Sequence, residues 1–296
     1  MSDPDTRNSF KVACVQITTG EDLGANISMA CDAITRAAAA GANLVLTPEN
    51  TTMMTASSKI TLAKARPEDE HPGLAAFRDL AAREGIWLLP GSLTIKLDKE
   101  KAANRSYLIA PNGEIAARYD KIHMFDVDIP DGQTYRESAT FRPGTHAVLA
   151  DLPWGKLGMT VCYDMRFGTL YRTLAKAGAS FFSVPAAFTH FTGKAHWHVL
   201  LRARAIENGC YVFAPAQCGT HPGDRRTYGH SLVVAPWGEV LADAGEEPGF
   251  VIADIDPAKV AQARAMVPAL SHDRMFAAPD LDPATPYAGL SEIGAE

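Results

Sequence analysis

Apolar and polar positions along the chain fall into short blocks that switch between two periods. "KVACVQIT" (Lys11–Thr18) is short and rich in β-type residues and predicts a strand. "NISMACDAITRAAAAGA" (Asn26–Ala42) is alanine-rich, with Gly41 placed to stop a helix. "NLVLTPE" (Asn43–Glu49) is a buried-type strand closed by Pro48. Helical spacing returns over Gly73–Gly85 and a strand pattern over Ile86–Ile95. In "RSYLIAPNGEIAARYDK" (Arg105–Lys121), Asn112-Gly113 separates two β-type runs, which predicts a hairpin.

The second half repeats the alternation. "KLGMTVC" predicts a strand ending on Cys162, followed by a helix over Phe167–Ala179 and a strand over Ser180–Ala187. A helix over His196–Gly209 and a strand over Cys210–Gln217 come next. His230–Gly245 reads as a second hairpin turning near Trp237-Gly238, "GFVIADID" as a strand, and Pro257–Val267 as a last helix. Alternation interrupted by two hairpins predicts an α/β fold with mixed sheets covered by helices. No repeat, low-complexity tract or linker divides the chain, so residues 10–273 read as one domain. Residues 1–9 are expected to be a flexible N-terminus and 274–296 a tail. From Ala277 that tail lacks core periodicity and is expected to be disordered or to pack on a partner subunit.

Composition narrows the class of protein. With 47% hydrophobic and 21% charged residues in 296, the chain is ordinary for a globular protein. Its net charge of −6, without any basic run, argues against nucleic acid or an anionic membrane surface as partner. No apolar run reaches the ~18 residues of a membrane helix. The start, "MSDPDTRNSF", lacks the basic and apolar regions of a signal peptide, so a cytoplasmic location is expected. Five cysteines without a CxxC pair read as reduced thiols rather than a disulfide frame.

Three ionisable side chains stand just after apolar strands: Glu49, Lys121 and Cys162. They are too far apart for a local motif and meet only if a sheet brings strand ends together. An ammonium beside a thiol favours the thiolate, and a carboxylate takes the thiol proton provided burial raises its own pKa. The lysine then supports the negative oxygen of a tetrahedral intermediate. Cysteine as nucleophile, glutamate as base and lysine as electrostatic support suffice for acyl transfer without metal or cofactor.

The segments "PEN", "YDKIHMFD" and "GMTVCYDMRF", in this order and each at a strand end, resemble the signature segments of the nitrilase superfamily, the carbon–nitrogen hydrolases. The resemblance runs from Lys11 to about Asp273. It implies a four-layer α-β-β-α sandwich and a Glu49–Lys121–Cys162 triad. It implies that Glu137, in "YRES", orients the lysine and assists proton transfer, and that the amide N–H of Tyr163 completes an oxyanion hole. "AFTHFTGKAHWHVLLRARAIENGCYVFAPAQCGTH" and "YGHSLVVAPWGEV" resemble the Nit branch, nearer to deaminated-glutathione amidases than to ω-amidases. The implied substrate is a small α-keto acid amide bearing carboxylates. Alternatives are α-ketoglutaramate, a carbamoylated amine, a nitrile, or a catalytically idle scaffold. The branch also implies a homodimer or larger homo-oligomer, joined through the helices after Cys162 and around His196.

Several residues keep two readings. Arg166 either pairs with a substrate carboxylate or closes a salt bridge to Asp164 or another acid. Phe188 and Thr189 follow a strand end and are expected to line the pocket or simply to pack. Arg225 and Arg226 either meet an anionic substrate or are solvated surface charge. His190, His196 and His198 match no familiar zinc spacing, and His196 and His198 point apart, so no metal is expected there.

Overall fold

The computed structural model describes residues 9–129 and 134–276. The expected N-terminal segment lies outside these residues except for Ser9, as does the tail from Ala277. Two sheets pack face to face. The first runs Gly249–Ile255, Phe10–Gln16, Leu44–Leu46, Trp87–Leu89, Ala102–Ile109 and Leu93–Lys96, and Ile115–Asp120 also pairs with Ala102–Ile109. The second runs Val240–Asp243, Leu232–Val234, Tyr211–Ala214, Ala179–Ser183, Gly155–Met159 and Val148–Leu152. Each holds a parallel trio, Phe10–Gln16 with Leu44–Leu46 and Trp87–Leu89 in one, Gly155–Met159 with Ala179–Ser183 and Tyr211–Ala214 in the other. Antiparallel strands flank both trios, giving the mixed sheets expected.

Period-two alternation sorts each central strand between two apolar layers. Val12, Cys14, Leu44, Leu46 and Leu89 face the second sheet, while Ala13, Val15, Val45 and Leu88 face the helices Leu23–Ala39 and Pro72–Glu84. In the second sheet Phe181 meets Phe10 across the interface, while Phe182 packs on Tyr171 of the helix Gly168–Lys176. The helix His190–Asn208 covers the same outer face. The layers are therefore helix, sheet, sheet, helix, as the resemblance implied. All five cysteines are free thiols.

Three local departures from the sequence reading shape the site. The strand expected over Ile86–Ile95 is broken at Pro90-Gly91, because a Cβ on Gly91 would lie 1.8 Å from the Pro48 carbonyl oxygen. Only glycine lets the segment carrying Glu49 approach so closely. The helix expected from His196 begins at His190, since Gly193 packs on Tyr228, where a Cβ would lie 2.4 Å from that ring's carbons. The threonines and glycine before His196 look like a loop, and tertiary packing overrides them. The strand expected to reach Cys162 stops at Met159, and Cys162 opens a short 3₁₀ turn, Cys162–Arg166, with φ +48.

Candidate active site

The carboxyl ends of the parallel strands from both sheets open onto one cleft of about 370 Å³. That is where open α/β sheets place ligands, and the volume suits a small molecule. Glu49 sits just past Leu44–Leu46, Cys162 just past Gly155–Met159, and Lys121 just past Ile115–Asp120. All three line the cleft and are buried, with Cys162 the most open at 7% exposure.

Lys121 is the hub. Its Nζ donates to Glu49 Oε1 at 2.9 Å and to Glu137 Oε1 and Oε2 at 2.9 and 2.8 Å. Glu49 Oε2 accepts the backbone N–H of Ala187 at 2.9 Å, and its carboxylate acts electrostatically on the Cys162 thiol. The peptide of Glu49 is fixed from the other sheet, where Gln217 Nε2 donates to its carbonyl at 3.0 Å. Glu137 is held by the Phe125 N–H at 2.7 Å. Cys162 occupies the left-handed backbone region, a strain of roughly 1–3 kcal/mol for a non-glycine residue. Its N–H donates to Pro185 O at 2.9 Å. This sharp turn carries the sulfur off the strand direction and into the cleft.

Electrostatics set the resting protonation. Burial raises the Glu49 pKa, but the Lys121 charge and hydrogen bond outweigh it and hold the carboxyl below the usual range. Burial and then the Glu49 charge push the Cys162 thiol well up, against the opposing effect of Lys121. Burial opposes the charge on Lys121, yet Glu137 and Glu49 together drive its pKa upward. The sequence expectation of a Glu49 pKa raised by burial is therefore corrected: the adjacent ammonium wins. The free protein holds a neutral thiol beside an ionised carboxylate. The thiol proton can pass to Glu49 as sulfur attacks an electrophile, when charge moves onward to that electrophile's oxygen.

Sequence reasoning missed Asn104. Its Nδ2 donates to Glu49 Oε1 at 2.9 Å and to Glu137 Oε1 at 3.1 Å, so one amide ties both carboxylates of Lys121 together. The hairpin register pairs Arg105 with Asp120, and the Lys121 N–H donates to Asn104 O at 3.0 Å. The Asn112-Gly113 turn thus held the signal that Asn104 faces Lys121. It also missed Asp164, which is fully buried and accepts from Val161 N–H, His123 N–H and Tyr119 O–H at 2.9, 3.0 and 2.7 Å. That carboxylate clamps the turn of Cys162 to the segment following Lys121.

Tyr163, Phe188 and Thr189 line the cleft as expected. Arg166 does not. The 3₁₀ turn points it toward the helix His190–Asn208, where its guanidinium lies 5.5 Å from the Phe188 ring centre and 3.2 Å from His196 Nδ1. The alternative bond to Asp164 does not form either, because Tyr119, His123 and Val161 occupy that carboxylate. Arg225, in contrast, lines the cleft. It stands 5.2 Å from the Tyr135 ring centre, donates from Nη2 to Ala187 O at 2.9 Å, and keeps a buried Nε with no hydrogen-bond partner among the described residues. His190, His196 and His198 do not converge: His196 meets Arg166, whereas His198 turns to Asp243.

A buried thiol, carboxylate and ammonium gathered at strand ends of an α-β-β-α sandwich are the equipment of an amide hydrolase. The chain belongs to the carbon–nitrogen hydrolase family, whose model matches residues 11–265. It is 44% identical over 272 residues to the deaminated glutathione amidase of Synechocystis sp., covering 90% of this chain and 98% of that one. It resembles the crystal structure of the Caenorhabditis elegans NitFhit protein with TM-score 0.83 and 38% identity, covering 90% of this chain and 65% of that one. Saccharomyces cerevisiae Nit3, a member of branch 10 of the nitrilase superfamily, matches with TM-score 0.81 and 30% identity over 91% of this chain and 97% of that one.

Asn104→Leu removes the shared donor while keeping the volume. Loss of a hydrogen bond to a buried carboxylate costs about 1–3 kcal/mol. The variant is expected to lose roughly 10- to 100-fold in kcat with little change in KM, as a misplaced base affects the chemical step. Steady-state amide hydrolysis checks this, and an unchanged kcat would make Asn104 a packing residue only.

Proposed function

We propose that this chain is a thiol-dependent amidase that hydrolyses a small, carboxylate-bearing α-keto acid amide of the deaminated glutathione type to the acid and the departing amine, which is ammonia where the amide is primary. The observation that carries the reading is the Glu49–Lys121–Cys162 cluster at the base of a cleft whose wall holds Arg225. The name of the Synechocystis relative supports the choice of substrate.

In this reading the Cys162 sulfur attacks the amide carbon while its proton passes to Glu49. The oxyanion is held by the Lys121 ammonium and the Tyr163 N–H. Glu49 returns the proton to the departing nitrogen, and the amine, or ammonia from a primary amide, leaves a thioester on Cys162. Glu49 then takes a proton from water, whose oxygen attacks the thioester. The acid departs and the thiol is restored with that proton. Glu137 and Asn104 keep Lys121 and Glu49 in register throughout. Phe188 and Thr189 shape the acyl pocket.

Arg225 is the group that reads the substrate carboxylate. It is a cation on the cleft wall, and guanidinium matches carboxylate geometry. Mass-spectrometric assay of the released acid and amine or ammonia over an amide panel tests the substrate class. Carboxylate-bearing α-keto amides are expected to lead the panel, and equal turnover of neutral aliphatic amides would contradict that. Arg225→Met is expected to raise KM for carboxylate-bearing amides by roughly 10- to 100-fold, the worth of a charged hydrogen bond. Neutral amides are expected to change little.

The same reading makes residues 10–273 one catalytic domain of a cytoplasmic enzyme assembling at least as a dimer. Among the described residues no helix is long and apolar enough to cross a membrane. The helix His190–Asn208 exposes Phe191, Val199 and Ile206, which supports burial against a second copy.

A further inference from the structure

His198, His230 and Asp243 form a cluster that hydrolysis does not use. They come from three places: the interior of the helix His190–Asn208, the residue before the Ser231 turn into Leu232–Val234, and the end of Val240–Asp243. His198 Nε2 lies 3.0 Å from Asp243 Oδ2, and His230 Nδ1 lies 2.8 and 3.1 Å from Asp243 Oδ1 and Oδ2. One ligand atom from each of the three lies within 4.8 Å of the others. Around an ion with bonds of about 2.0–2.2 Å, neighbouring ligand atoms stand roughly 3–3.5 Å apart. The two histidine–aspartate contacts are close to that spacing, and the two imidazole nitrogens lie within 4.8 Å of each other. Two imidazoles with one carboxylate suit a divalent transition ion rather than calcium or magnesium, which prefer oxygen.

The surroundings hold these donors in place. His230 has φ +56, its N–H donates to Gly245 O at 2.6 Å, and its carbonyl accepts Trp197 Nε1–H at 2.8 Å. The Gly245 N–H donates to Asp243 Oδ1 at 2.9 Å, and the Tyr228 ring stacks on His230 at 4.4 Å. Supporting bonds of this kind fix ligand orientation. In the single chain the side chains of His198, His230 and Asp243 are 32%, 20% and 33% exposed, which places the cluster at the edge of the helix His190–Asn208 and not in the core. None of the three lines the hydrolytic cleft.

We propose that His198, His230 and Asp243 are a binding site for a divalent transition-metal ion of the zinc type. Both imidazoles bind as neutral ligands, and the ion takes the position now bridged by their bonds to the carboxylate. It joins the helix His190–Asn208 to the hairpin of Leu232–Val234 and Val240–Asp243. Because it binds the folded chain alone, it stabilises the fold by mass action.

The test is calorimetric titration of the tag-free full chain with zinc chloride, with cobalt(II) absorption as a second probe of coordination. His198→Ala changes a half-exposed helix residue. His230→Asn keeps a residue that tolerates the left-handed backbone. Cys162→Ala controls for zinc on the thiol. Wild type and Cys162→Ala are expected to bind one ion per chain, and both histidine variants to bind at least tenfold more weakly. Saturating zinc is expected to raise Tm in wild type and not in His198→Ala. The proposal is overturned if wild type takes up no zinc at millimolar concentration. It is equally overturned if affinity is unchanged in both histidine variants, or if binding disappears in Cys162→Ala.

Discussion

Cys162→Ala is expected to lower ammonia release by at least about 10⁴-fold, the scale of losing a covalent nucleophile. The fold is expected to survive. The side chain is small, and what anchors the turn is backbone and Asp164: Cys162 N–H to Pro185 O, and Val161 N–H to the Asp164 carboxylate. Position explains why no other thiol replaces it. Cys14 and Cys210 are buried, with burial driving the pKa of Cys14 far up and that of Cys210 to about 12, and neither lines the cleft. A variant that kept even a tenth of wild-type turnover would place the nucleophile elsewhere.

Lys121→Met is expected to damage stability and turnover together. Lys121 and Glu49 are 2% and 3% exposed, and Glu137 shares the same ammonium. Removing one partner of a buried ion pair typically costs about 3–5 kcal/mol, because the remaining charge stays desolvated. The pH dependence separates this from simple packing loss. In wild type Glu49 has a lowered folded pKa, so its contribution is full above the unfolded value of about 4.3 and fades as pH falls through the folded value. Lys121 has a raised folded pKa, so its contribution is full below about 10.4 and fades only as pH rises through the folded value. The pair is thus at full strength at neutral pH. In the variant, burial without the ammonium raises the Glu49 pKa, and the deficit is largest at neutral pH and shrinks as pH falls toward 4. Urea unfolding at about pH 5 and pH 7.5 reads this, and a pH-independent deficit would contradict the account. Adding Glu137→Gln is expected to restore part of the stability, and none of the turnover. Loss of oxyanion support alone is expected to cost about 10²–10³ in kcat.

The parts of the site legible in the sequence are those marked by an abrupt end of an apolar run. "NLVLTPE" and "GMTVC" announce Glu49 and Cys162 because a strand cannot carry a buried charge or a strained turn inside its ladder. The alternation of apolar positions announced mixed sheets covered by helices, and the four layers came from the resemblance alone. The cleft wall was not legible. It is built from the short helix Ser58–Lys64 and from small hairpins at Asp126–Asp128 with Thr134–Arg136 and Cys218–His221 with Arg225–Tyr228. These pieces are too short to show a period, and their positions depend on contacts distant in the chain. The two readings left open for Arg166 and Arg225 could not be separated for this reason. Proximity to Cys162 in sequence made Arg166 a candidate beside the salt-bridge reading, but the 3₁₀ turn swings it toward His196. Arg225 looked like loop charge, yet its hairpin delivers it to the carbonyl of Ala187.

Asp164 and Asn104 show a different limit. Each is a polar residue whose value lies in what it joins, and nothing local distinguishes it from an ordinary turn or strand residue. Asn104 becomes visible only when the hairpin register is counted back from Asn112-Gly113 to the residue opposite Lys121. Asp164 becomes visible only when the segment around His123 is known to pass beside the turn of Cys162.

The most direct measurement is mass spectrometry of the enzyme acid-quenched during turnover of a carboxylate-bearing α-keto amide, followed by peptide mapping. An acyl adduct of the substrate's mass, less the departing amine or ammonia, on the peptide containing Cys162 is the predicted result. An adduct on any other residue, or ammonia release in full with no acyl-enzyme at any quench time, would contradict the account.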